Sequence, residues 1–112
     1  VTATALAHEY RVAITKRLDA LEGLAHRCHS QTQGQCLEGY SQARALLRDL
    51  EDLFAQHLPT RMHLAEPLPR VRQHLGAMAG LEEHALPDGS QSHLDQVLAD
   101  ISKMRTCLPP ER

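Results

Sequence analysis

Apolar residues return every third or fourth position in four separate stretches of this chain, and none shows the strict apolar–polar alternation of a half-buried strand. The clearest stretch lies near residues 36–58. Tyr40, Ala43, Leu47, Leu50 and Phe54 step by three, four, three and four, which places them on one face of a helix with 3.6 residues per turn. Leu46 and Leu53 widen that face, and Leu37 and Leu58 extend its ends. Arg44, Arg48, Asp49, Glu51 and Asp52 supply a polar side. The apolar arc from Leu53 round to Tyr40 covers about 140°, wider than a strict coiled-coil seam.

Three more helices are expected on the same grounds. The first spans about residues 4–29, with Thr2 and Thr4 as N-caps and a stripe of Ala7, Ile14, Leu18, Leu21, Ala25 and Cys28. Leu6, Ala13, Ala20 and Leu24 form a second flank on it. Gly23 weakens its middle by up to about 1 kcal/mol if exposed. Residues 30–35 read as a polar loop. Pro59, Pro67 and Pro69 punctuate the next connection, so Leu58, Glu66 and Leu68 are expected to be non-helical. A third helix runs from about Pro69 to His84 on Val71, Leu75, Met78, Leu81 and Ala85, and Gly76 with Gly80 leaves a strip for close approach. Residues 86–90 carry turn chemistry. Ser92 and Asp95 cap a fourth helix at 92–107, with Leu94, Val97, Ile101, Met104 and Leu108 as its face, and Pro109-Pro110 ends it.

Short connections make consecutive helices antiparallel neighbours. The expected fold is an all-α, up-down four-helix bundle forming a single domain over residues 1–112, with a three-helix, spectrin-like bundle as the alternative. Composition agrees: Leu and Ala dominate, and Tyr10, Tyr40 and Phe54 are the only aromatics. The formal charge of −2 is evenly spread, each half of the chain holding six basic and seven acidic side chains. No segment is built to find nucleic acid, and no apolar run suggests membrane insertion. Val1 to Ala7 lack the charged and apolar regions of a signal peptide.

Catalytic patterns are missing from the sequence. It has no Gly-rich phosphate loop, no nucleophile elbow and no His-Glu-x-x-His. Glu82 and Glu83 are adjacent and face different directions on a helix. His74 is followed by Leu75-Gly76-Ala77, without the Lys-Gly pair that follows the phospho-accepting histidine of phosphotransfer bundles. The expectation is a non-enzymatic protein.

Eight histidines in 112 residues stand out. An up-down bundle would gather His26, Cys28, His29, Cys36, His84 and His93 at one pole, and imidazole and thiolate suit zinc or copper. None of these stands in a recognised ligand spacing, and the simpler reading is a set of surface histidines around a loop. Cys28 and Cys36 flank one loop and are read as a disulfide with Cys107 left over, the alternative being three thiols with Cys28 buried in the helix-one stripe. Such a bridge would favour a secreted or periplasmic setting. Arg61, Arg70 and Arg72 with His57, His63 and His74 make a basic stretch against the single Glu66, suited to an acidic partner or a phosphate, or simply a solvated linker.

These readings converge on a protein–protein interaction module of adaptor, chaperone-like or inhibitor and immunity type. Its partner is another protein or a second copy in a homodimer. Leu46, Leu50, Leu53 and Phe54 of the second helix are the expected contact residues, because that helix carries more leucine than one seam needs. The rival reading is a metal- or redox-responsive bundle using the Cys/His pole.

Overall fold

The computed structural model describes residues 6–30, 33–79 and 93–110, apart from the side chains of residues 29, 30, 33–35 and 60. Four helices form, α1 (His8–Ser30), α2 (Gln33–His57), α3 (Pro67–Met78) and α4 (His93–Cys107), with a 3₁₀ segment at Pro59–Ala65 between α2 and α3. No strand occurs among the described residues. Thr2, Thr4, Gly80, Leu81, Ala85, the turn at 86–90 and Ser92 lie outside them.

Each helix packs on the next in the chain, and α4 closes back on α1. Directions follow from the cross-contacts. Tyr10 stacks on His57, Arg17 meets Asp49 and Cys28 meets Cys36, so α1 and α2 run antiparallel. His74 meets His93 and Arg70 meets Asp100, so α3 and α4 do too. Arg105 meets Asp19 at 2.6 Å and Glu22 at 2.8 Å while Arg11 meets Pro109, so α4 runs antiparallel to α1. The molecule is an up-down four-helix bundle.

One continuous core fills the space between the helices. Ile14, Leu18 and Leu21 of α1, Leu50 and Phe54 of α2, Leu75 of α3 and Ile101 and Met104 of α4 are among its fully enclosed members. Each removes some 1.5–3 kcal/mol worth of apolar surface from water. The seams read from spacing are therefore the buried faces of these helices.

The proline connection departs from expectation. Leu58 is non-helical, as proline at the next position requires (φ −133°, ψ 48°), and Arg61 kinks the 3₁₀ segment (φ −120°, ψ 35°). Glu66, however, is helical (φ −57°, ψ −38°), and Leu68 lies inside α3, which starts at Pro67. Pro67 and Pro69 both occupy the first turn, where the missing N–H would have no helical partner anyway. Burial of Pro67 and Leu68 against the core outweighs the steric bias on the residue before a proline.

At the far end the chain returns to its start. The Leu6 amide donates to the Pro110 carbonyl at 3.2 Å, the Arg11 guanidinium donates to the Pro109 carbonyl, and Pro109 is fully buried. No described helix is long and apolar enough to cross a membrane.

Candidate functional site

The two flanks of α2 meet different surroundings, and the difference locates the site. On the flank facing α1, Asp49 lies 3.6 Å from Arg17 and His57 stacks on Tyr10 with ring centroids 3.4 Å apart. Leu46 and Leu53 sit on this flank, half-buried and packed against the core. Leu50 and Phe54 have no exposed surface at all. The four residues expected to meet a partner are thus two core side chains and two that edge the α1–α2 seam. The leucine surplus arises because α2 packs on α1 as well as on the core centre. Of the second flank expected on the first helix, Leu6, which precedes α1, and Leu24 are buried, Ala13 is half-buried and Ala20 is exposed.

The opposite flank of α2 is open. Between it and the 3₁₀ segment with α3 runs a cleft of about 510 Å³. Leu47 and Leu68, both almost wholly buried, form its floor, with Ala45, Ala65 and Pro69 beside them. Ser41, Arg44, Arg48 and Glu51 stand along the α2 rim, and Arg72 stands on the α3 side. The small side chains of Ser41 and Ala45 keep the α2 wall low, and the prolines that start α3 turn its first residues into the opposite wall.

Arg44, Arg48 and Arg72 are all exposed, and none meets a carboxylate among the described residues. Other arginines do: Arg70 reaches Asp100 at 3.4 Å, and Arg105 holds two acids. The basic stretch read from the sequence is accordingly dispersed. Arg70 turns to α4, His57 stacks on Tyr10, and His74 is buried against His93, leaving only Arg72 at the cleft. By spacing alone Arg44 and Arg48 belong to an ordinary wet face. Their legible signal is two arginines one turn apart beside small residues, which marks a low basic ledge but not what stands opposite.

The expected Cys/His pole does not assemble as one cluster among the described residues: Cys28 pairs with Cys36, and His93 pairs with His74, which lies outside that set. Cys28 and Cys36 are buried on facing helices, and the Cys28 thiol donates to the Cys36 carbonyl at 3.5 Å. Both are free thiols, as is the half-buried Cys107, so the expected bridge is not formed. Because α2 begins at Gln33, both cysteines are fixed in helical backbone, close but unbridged. Burial, reinforced by the hydrogen bond and charge of Cys28, pushes the Cys36 thiol from 9.0 up to about 12.

His74 Nδ1 and His93 Nδ1 are 2.8 Å apart with tilted rings, one donating and one accepting. His26 is exposed, while His84 and the His29 side chain lie outside the described residues. Among the described residues, no three His, Cys, Asp or Glu side chains gather as a zinc or copper site would require. Comparison of the chain with protein-family models, with curated proteins and with solved structures gives no match in any of the three.

Proposed function

We propose that this bundle is a non-enzymatic protein-binding module whose contact surface is the cleft between α2 and α3. The observation that carries this reading is an apolar floor rimmed by three exposed arginines with no acid partner among the described residues. Exposed arginines around a partly apolar depression are the kind of group that anchors protein interfaces. Burial pushes the Cys36 thiol up, the opposite of the depressed pKa that a reactive cysteine needs.

The test is capture from native extract by the immobilised full chain, with Ala45→Trp as the blocked form. Ala45 is exposed and lines the cleft, so the indole fills the groove without entering the core. Gln42→Trp, exposed and away from the lining, serves as the control. A protein held by wild type and by Gln42→Trp but lost with Ala45→Trp supports the reading. Equal capture by all three removes the cleft as the contact surface. If the captured protein is a second copy of this chain, light scattering will show the doubled mass.

A further inference from the structure

Resting on that reading, we infer that the occupant of the cleft is an acidic, amphipathic segment of a partner protein. Its carboxylates pair with Arg44, Arg48 and Arg72, and an apolar side chain between them rests on Leu47 and Leu68. Charge sets the sign. The rim carries three unpaired cations and one anion, Glu51, among the described residues. A basic or neutral segment would leave the guanidinium groups desolvated without compensation.

Spacing sets the form. Arg44 and Arg48 are four residues apart on α2, a rise of about 6 Å. Asp or Glu at positions i and i+4 of a partner helix repeat at that same interval. A guanidinium fork takes a carboxylate through two parallel N–H···O bonds, so the pairing fixes orientation as well as charge. Arg72, on the facing wall, holds the segment from the other side.

The apolar floor argues for a peptide over a compact phosphate. A phosphate group seeks convergent donors on all its oxygens. Here the arginines are strung along a ledge, and Leu47, Ala65, Leu68 and Pro69 line the cleft beside them. An amphipathic segment satisfies both parts at once.

A displayed random-peptide library selected against the full chain tests this directly. Wild type should enrich peptides with Asp or Glu one helical turn apart and an apolar residue between them. The exposed substitutions Arg44→Glu and Arg72→Glu should each weaken the selected peptides about tenfold or more, and raising salt should weaken them further. Lys16→Glu, exposed on α1, should leave affinity unchanged. Enrichment without acidic residues, or acidic peptides that bind the reversed variants equally well, would overturn the inference. So would no enrichment at all, or equal weakening by Lys16→Glu. A thermal shift by inorganic phosphate alone, lost with the same reversals and without acidic enrichment, would make the cleft a phosphate site instead. The two claims fail separately: if Ala45→Trp abolishes capture while no acidic motif is enriched, the cleft stands and its acidic occupant falls.

Discussion

Gly23 and Gly39 show how one residue type does opposite work on facing helices. A Cβ at Gly23 would meet nothing within 4 Å, whereas one at Gly39 would lie 3.3 Å from the Cys28 sulfur and 3.7 Å from Leu24. Gly23→Ala should therefore stabilise the bundle by roughly 0.5–1 kcal/mol, the helix-propensity difference alone. Gly39→Ala should gain less or lose stability, because its new methyl presses on a buried thiol. Urea denaturation of the two variants checks the pair, and equal gains would contradict the close packing there. Cys36 gives a second residue-scale prediction. Its thiol is pushed up to about 12, so the folded state holds the proton more tightly than the unfolded chain. That contribution is full below about pH 9 and is lost as pH rises toward 12. The stability of wild type should fall over that window more steeply than that of Cys36→Ala. Parallel curves would show that the thiol is not held in this way. The cost of Gly23 was legible in the sequence, but the Gly39 contact and the Cys36 shift were not, because both depend on which groups of the facing helix lie opposite.

At the scale of the element, α2 was the most legible part of the chain, and its regular seam proved to be its buried face. What spacing left undecided was the use of its flanks. A broad apolar arc is the same pattern whether it packs on one neighbour or awaits another, and here α1 covers part of it. Leu46→Asp with Leu53→Asp should accordingly lower stability by about 2 kcal/mol or more, since both carboxylates would press against core side chains. Thermal melts followed by circular dichroism measure this. An unchanged melt with loss of partner capture would instead make that flank the contact surface. The proline connection was less legible, because a proline rule says what a residue disfavours and not where a first helical turn can absorb it. Pro67 and Pro69 sit where their missing donors do no harm, and Pro69 lines the wall opposite Arg44 and Arg48.

For the whole molecule, helix number, direction and order followed from four periodic segments and short connections. Contacts between distant parts of the chain did not. Arg11 with Pro109 and Arg105 with Asp19 are separations of 98 and 86 residues, and no local pattern announces them. The arginine cleft belongs to the same class, for it exists only because α3 and the 3₁₀ segment settle beside one flank of α2. Its role as the binding surface is the central claim. Hydrogen–deuterium exchange on the full chain, free and with the protein it captures, tests that claim most directly. Added protection should concentrate in the 3₁₀ segment and the first turns of α3, around residues 65–72, with a matching change along residues 41–51 of α2. Protection confined to α1 and α4, with residues 41–51 and 65–72 unchanged, would contradict it.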